Sequence, residues 1–129
     1  FSRANNYGKD FENYRNTLSQ KPLIVAMIEN TDFVSNLEEI IKIDTIDAFF
    51  IGPYDLSASL GVPGNFNSKK YKELLSKIIY ICKKNNKPIG IHIVDPNKKE
   101  LKKRISSGYQ FVAYSLDTVF LNTSSKFPI

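Results

Sequence analysis

The chain has 129 residues and a formal net charge of +5 at pH 7, with 42% hydrophobic and 24% charged residues. This length suffices for one domain with a hydrophobic core, and the composition is that of an ordinary globular protein. The sequence contains neither an apolar run long enough for a transmembrane helix nor the apolar segment of a secretory signal. Because the first residue is not methionine, we expect the chain to begin within a larger protein.

The charge pattern and the cysteine content limit the kinds of binding partner and the cellular compartment that we expect. Lysine pairs such as Lys69-Lys70 and Lys102-Lys103 are scattered over several predicted helices, without an arginine cluster. This pattern favours solvated outer helix faces over a nucleic-acid surface. Cys82 is the only cysteine, which excludes an internal disulfide and fits a reducing cytoplasm. We therefore expect a cytoplasmic protein that binds neither nucleic acid nor membrane.

Predicted strands and helices alternate along the chain from residue 23 onward. The continuous apolar run 23–28 predicts a strand that is buried on both faces, as in parallel sheets. Asn30 or Thr31 can cap a helix that extends to residue 41. A second buried strand is predicted at 48–51, and a Gly-Pro step follows it.

The same alternation continues through the middle of the chain. Apolar residues at helical spacing predict a long helix over 69–84, with Cys82 buried on its apolar stripe. A third strand is predicted at 88–94. Asp95 then caps a helix that has Pro96 at its first position.

The last unit follows the same plan. Leu101 and Ile105 are predicted to face inward, and Gly108 is a natural residue for the position just after the helix. A fourth strand is predicted at 111–116, and Asp117 opens the final helix. Four strand-helix units in succession imply crossover connections and a parallel sheet. In such sheets functional residues collect at the carboxyl ends of the strands.

Two carboxylates follow the first two predicted strands. Glu29 comes directly after the first strand, and Asp55 comes shortly after the second. Neighbouring strand ends lie about 5 Å apart, and two carboxylates at that range repel by roughly 3 kcal/mol at an effective dielectric of about 20. A proton held at a raised pKa, or a divalent cation such as Mg²⁺ or Mn²⁺, would relieve the repulsion. Alternatively, each residue simply caps the helix after it.

Two motifs carry a family resemblance. Residues 27–30 (MIEN) and 50–66 (FIGPYDLSASLGVPGNF) resemble the paired motifs of the HpcH/HpaI aldolase/citrate lyase family, Val/Met-Ile-Glu-Thr and Ile-Gly-Pro-x-Asp-Leu-Ser. Residues 2–8 are similar to the family's Arg-Ala-x-x-Tyr-Gly stretch, and 108–121 to its final strand and helix opening. The Gly-Pro form indicates the class II pyruvate aldolase branch, which acts on 2-keto-3-deoxy acids or 2,4-dihydroxyhept-2-ene-1,7-dioate.

The resemblance implies an α/β fold, the (β/α)8 TIM barrel, which needs about 250 residues. Residues 1–129 would then be a single partial domain: the C-terminal half of the barrel, with about four parallel β-α units matching strands five to eight. Residues 1–21 would be the connecting segment before these strands. An open half-barrel exposes two unpaired strand edges. We therefore expect either a homo-oligomer in which halves complete each other or a poorly soluble chain.

The resemblance also implies a chemistry. Family members are divalent-metal-dependent aldolases, or carbon-carbon lyases, which cleave a 2-keto-4-hydroxy acid to pyruvate and an aldehyde through a metal-bound enolate. Glu29 and Asp55 match the metal ligands, for Mg²⁺, Mn²⁺ or Co²⁺. The small keto acid substrate would bind at Gly52, Pro53, Tyr54 and Asp55. Within this group, the backbone N–H groups of Tyr54 and Asp55 match those that hold the pyruvate carboxylate.

Some family features have no counterpart here. The arginine that clamps pyruvate and the acid-base histidine belong to the missing half, so we expect this half-chain alone to be inactive. His92 lies where the family usually has an apolar residue, and it is either a contact for a polar or acidic substrate tail or a hydrogen-bonded residue of the barrel wall. Alternatives are a citrate-synthase-like or CoA-ester lyase activity in the same fold, or a catalytically incomplete fragment that acts as an interaction module.

Overall fold

A four-stranded parallel sheet organises the chain. The computed structural model describes residues 3–17 and 22–125. In chain order the elements are a 3₁₀ helix Arg3–Gly8, α1 Phe11–Thr17, β1 Val25–Ile28, α2 Thr31–Ser35, α3 Leu37–Ile40, β2 Ala48–Ile51, α4 Pro53–Ser59, α5 Lys69–Lys84, β3 Ile89–Ile93, α6 Lys98–Ser106, β4 Phe111–Tyr114 and α7 Asp117–Ser124. The connecting segment predicted at 1–21 lies partly outside the described residues.

The strand order identifies the type of parallel sheet. Each strand pairs in parallel with the next strand along the chain, in the order β1-β2-β3-β4. A doubly wound sheet reverses its strand order at a switch point, whereas the wall of a (β/α)8 barrel does not. The fold is therefore half of a TIM-barrel-type wall, which confirms the predicted α/β class and its four parallel strands.

The helices cover one face of this sheet. The register aligns Ile28, Ile51, Ile91 and Val112 in one row across the four strands. The three isoleucines are almost completely buried, and they pack in one cluster with the inner side of α5. The apolar runs that predicted buried strands thus supply the contacts between the sheet and its helices.

The opposite face of the sheet is open in the part of the chain that the structure describes. Its central row consists of Met27, Phe50, Gly90 and Phe111, and Met27 is 48% exposed. The rings of Phe50 and Phe111 stack at 5.7 Å with an interplanar angle of 18°. The Phe111 ring crosses Gly90 so closely that a Cβ there would lie 2.3 Å from it.

Several predicted elements are longer than the observed ones. Leu23 and Ile24 precede β1 and are exposed, because no neighbouring strand extends that far. The helix predicted to reach residue 41 is split into α2 and α3 at Asn36. β4 ends at Tyr114, since Ser115 adopts a left-handed backbone conformation that leaves the strand.

The predicted start of α6 was wrong. Asn97 caps this helix, and its side-chain oxygen accepts hydrogen bonds from the amides of Lys99 and Glu100. Asp95 and Pro96 therefore lie before the helix, too early to reach its free amides. Ile105 is 57% exposed rather than inward.

Other predictions at these helices are confirmed. Gly108 follows α6 with φ +95°, a conformation that favours glycine. Cys82 is fully buried on α5, and burial raises the pKa of its thiol to about 12, so the thiol stays protonated. Among the described residues, no helix combines the length and apolarity needed to cross a membrane.

The contact at Gly90 is testable by substitution. Gly90→Ala should lower the free energy of unfolding by about 1–3 kcal/mol, because the new methyl group overlaps the Phe111 ring. Chemical denaturation measures this loss. In a Phe111→Leu background the same change should cost much less; an equal cost in both backgrounds would show that the ring is not the obstacle.

Candidate metal site at the carboxyl edge

The sheet register brings Glu29 beside Gly52. Ile28, the last residue of β1, pairs with Ile51, the last residue of β2, and the Gly52 amide donates to the Ile28 carbonyl at 3.2 Å. The Glu29 side chain lies over Gly52, so that a Cβ on Gly52 would be 3.0 Å from Glu29 Oε1. The missing side chain at Gly52 is what leaves room for this carboxylate.

Asp55 lies in the first turn of the next helix. If Asp55 capped the helix after it, that helix would begin at Leu56, but α4 begins earlier, with Gly52 at the cap position and Pro53 as the first helical residue. Proline suits that position because its fixed φ matches the helix and its missing N–H would have no partner there. Asp55 is thereby an exposed residue within the helix rather than its cap.

The capping alternative fails for Glu29 as well. Asn30 caps α2, and its side-chain oxygen accepts from the Phe33 amide at 2.7 Å. Among the described residues, neither Glu29 nor Asp55 has a hydrogen-bond or ion-pair partner for its carboxylate. Glu29, directly after β1, and Asp55, in the first turn of the helix after β2, thus have carboxylates that neither cap a helix nor pair with a cation.

The first amides of α4 are also uncommitted. The first helical hydrogen bond runs from the Leu56 amide to the Gly52 carbonyl at 3.0 Å. The N–H groups of Tyr54 and Asp55 precede it, so they have no acceptor within the helix, and Gly52 offers no side chain to cap them. Donors therefore stand beside the carboxylates at this edge.

Ser57 holds this helix start in place, a role that sequence reasoning missed. Its hydroxyl is fully buried, donates to the Tyr54 carbonyl at 2.8 Å and accepts from the Gly64 amide at 2.9 Å. The loop after α4 is thereby tied to its first turn. A hydroxyl on a helix face otherwise occupied by apolar residues was the signal available in the sequence.

His92 lies on the open face in the same row as Glu29 and Gly52. It follows Ile91, which pairs with Ile51, and it pairs with Ala113 on the other side. The ring is half-buried, and its Nε2 lies 3.3 Å from the Ser115 carbonyl oxygen. The hydrogen-bonded alternative for His92 is therefore observed, on the same face as Glu29.

A cleft of about 430 Å³ adjoins this edge, between the start of α4 and the inner side of α6. Its polar lining includes Asn67, His92 and Lys103. Arg104, which also lines it, is paired with Glu100 at 2.6 Å. The described residues include no group of three or more His, Cys, Asp or Glu that could hold a metal by themselves.

The parallel sheet and the side chains at the carboxyl ends of its strands define the class of protein. A sequential parallel β-α array that carries unpaired carboxylates at the carboxyl ends of its strands has the layout of half a (β/α)8-barrel enzyme. The family model for HpcH/HpaI aldolase/citrate lyase matches residues 6–123. The chain belongs to this family.

Curated relatives support the assignment. A 2-keto-3-deoxy-L-rhamnonate aldolase from Salmonella dublin is 32% identical over 118 residues. The match covers 92% of this chain and 43% of that protein. The chain thus spans less than half the length of the curated relatives it matches.

Solved structures show the same fold. A HpcH/HpaI aldolase/citrate lyase family protein from Burkholderia cenocepacia J2315 matches with a TM-score of 0.78 at 22% identity, covering 95% of this chain and 47% of that one. A citrate lyase beta subunit from M. tuberculosis, complexed with oxaloacetate and magnesium, matches with a TM-score of 0.63 at 14% identity, covering 79% and 51%. These likenesses concern the fold.

The Ser57 interaction gives a stability prediction. Ser57→Ala should lower the free energy of unfolding by about 1–3 kcal/mol, because the Tyr54 carbonyl and the Gly64 amide lose a buried partner. Thermal or chemical unfolding measures it. Ser76→Ala removes an exposed hydroxyl bonded to the Lys72 carbonyl and should change stability by less than about 0.5 kcal/mol. Equal effects of the two substitutions would contradict the role of Ser57.

Proposed function

We propose that this chain forms the metal-binding half of a class II aldolase, which cleaves a 2-keto-4-hydroxy acid to pyruvate and an aldehyde. The observation that carries the proposal is the pair of unpartnered carboxylates, Glu29 and Asp55, at adjacent strand ends in a chain of this family. The Gly52-Pro53 motif and the aldolase relative favour this reaction over a CoA-ester lyase.

The residues present fit a hard divalent cation. Glu29 and Asp55 would hold Mg²⁺, Mn²⁺ or Co²⁺ through oxygen ligands, and the exposure of Asp55 leaves room for water and substrate oxygens. The magnesium in the citrate lyase beta subunit from M. tuberculosis supports the type of ion. A bound divalent ion supplies Lewis acidity, which stabilises the negative charge that develops on the keto oxygen as the C–C bond breaks.

The start of α4 would orient the keto acid. Gly52 and Pro53 place the amides of Tyr54 and Asp55 at the edge, and we propose that these amides bind the substrate carboxylate. Donors fixed by the helix backbone need no reorganisation during the reaction. Within the described residues His92 is the only imidazole, and we propose that acid-base catalysis depends on residues outside this chain. We therefore expect the isolated chain to bind metal without cleaving substrate.

Metal binding tests the proposal. In titration calorimetry with Mn²⁺, the wild-type chain should bind one ion, while Glu29→Gln and Asp55→Asn should each reduce binding below detection, because each removes an anionic ligand. Glu38→Gln, which neutralises an exposed carboxylate in α3, is the matched control and should bind as the wild type does. Equal loss in all three variants, or no loss in the first two, would contradict the site.

The position of Gly52 gives an independent prediction. Gly52→Ala should weaken Mn²⁺ binding by about tenfold, because its methyl group must displace the Glu29 carboxylate. The backbone at Gly52 has φ −88°, which alanine adopts readily, so the unfolding temperature should change little. Calorimetry measures the Mn²⁺ affinity, and thermal unfolding of the same sample measures the stability, so a loss of binding can be distinguished from a loss of folding. Unchanged affinity would show that Glu29 does not bind the ion from above Gly52.

We also propose that the chain forms a homo-oligomer that covers the open face and its edges. In the described sheet β1 and β4 each pair on one side, and Val25 and Met27 are 38% and 48% exposed on the open face. Unpaired edges beside exposed apolar side chains favour association between chains.

Light scattering coupled to size-exclusion chromatography tests the assembly. The wild-type chain should elute as a dimer or larger, and Met27→Lys should dissociate it, because a charge on the open face opposes its burial. Tyr80→Lys alters a residue that is 65% exposed on the helical side and is the matched control. A stable wild-type monomer would contradict the proposal.

A further inference from the structure

Ser115 connects the ends of β3 and β4 in an uncommon conformation. It has φ +64°, which a non-glycine residue rarely adopts, and only 8% of its surface is exposed. Its amide donates to the Ile93 carbonyl at 2.7 Å, and its hydroxyl donates to the Val94 carbonyl at 2.8 Å. A left-handed conformation is unfavourable for a residue that has a Cβ, and it persists only where surrounding contacts maintain it.

This conformation directs the Ser115 carbonyl to His92. Nε2 of the ring lies 3.3 Å from that oxygen. A carbonyl oxygen only accepts hydrogen bonds, so Nε2 must carry the proton, and Nδ1 of the neutral ring is then an acceptor. Within the described residues, Nδ1 has no hydrogen-bond donor. Ser115 thereby fixes the orientation and the tautomer of a ring with one acceptor available to a ligand.

The location of the ring limits what that ligand can be. His92 shares a row and a face with Glu29, but β2 lies between them, so their backbones are about 10 Å apart. Nε2 is turned toward the end of β4, away from Glu29, so His92 is not placed among the proposed metal ligands. A keto acid held at Glu29 and the start of α4 would extend into the cleft that Pro53, Tyr54 and His92 line together. The row below His92 holds the Phe50–Phe111 stack, which offers no polar group.

We propose that His92 is a specificity-determining residue, which accepts at Nδ1 a hydrogen bond from a hydroxyl on the part of the substrate that leaves as the aldehyde. Ser115 is its positioning residue. This inference rests on the proposed aldolase site, because that site sets where the substrate begins. The enzyme would then favour a hydroxylated aldehyde portion over an alkyl portion of the same length.

The tautomer is tested first. His92 is the only histidine in the chain, so a long-range ¹H–¹⁵N correlation spectrum reports on this ring alone. For the neutral ring, the spectrum should show the Nε2–H tautomer. Ser115→Ala removes the hydroxyl that holds the Val94 carbonyl, and the Nε2–H population should fall. A wild-type Nδ1–H tautomer would overturn the proposal.

The ligand preference is tested with two unreactive acids. Gluconate and 2-hydroxyhexanoate have the same six-carbon length and the same α-hydroxy acid head for Mg²⁺, and they differ in the hydroxyls of the tail. With Mg²⁺ present, gluconate should bind about fivefold more tightly and shift the Nδ1 resonance, because one hydrogen bond is gained. In His92→Leu, which keeps a similar volume, the two affinities should become equal.

The outcomes separate this inference from the proposed function. Equal affinities for the two acids in the wild-type chain, or a preference that survives His92→Leu, would overturn the role of His92 while leaving the metal site intact. Absence of Mg²⁺-dependent binding for both acids would instead overturn the proposed site, and the role of His92 with it. Glu29→Gln is the reference for a lost metal site, since it should abolish Mg²⁺-dependent binding of both acids equally.

Discussion

The parallel register of β1 and β2 is the constraint on which the site depends. Because Ile28 pairs with Ile51, the residues that follow them, Glu29 and Gly52, meet at the carboxyl edge. The Glu29 carboxylate approaches position 52 so closely that a Cβ there would lie 3.0 Å from Oε1 and would displace it. A slip of β1 by one residue would turn its side chains to the opposite face and would bury Glu29 against the helices.

The two carboxylates are available because other residues perform the structural tasks they could have performed. Asn30 caps α2, and Gly52 with Pro53 opens α4, so neither Glu29 nor Asp55 is used at a helix end. Under the proposed function, a shared cation would offset the repulsion between two carboxylates at one edge. The buried Ser57 hydroxyl keeps the edge ordered by fixing the first turn of α4 to the loop that follows it.

The sequence predicted the strands, their parallel arrangement and the long helix α5, because these depend on apolar periodicity. It did not predict the end of β4 or the start of α6. Those boundaries depend on single residues: the left-handed backbone of Ser115, and the side-chain oxygen of Asn97, which accepts from the amides of Lys99 and Glu100. The nearness of Glu29 to Gly52 could be anticipated from the strand ends, whereas the His92–Ser115 contact depends on a left-handed backbone that no pattern reveals.

The most direct test of the account is a map of where Mn²⁺ binds. Paramagnetic broadening of backbone amide resonances by Mn²⁺ falls off steeply with distance from the ion, so it locates the ion without assuming an activity. A metal ion at Glu29 and Asp55 should broaden residues 28–31 and 51–56, with weaker effects near His92 and none at Cys82 in the middle of the buried helix face. Broadening centred on the exposed acidic residues of α3 or α6, with residues 28–31 and 51–56 unaffected, would contradict it.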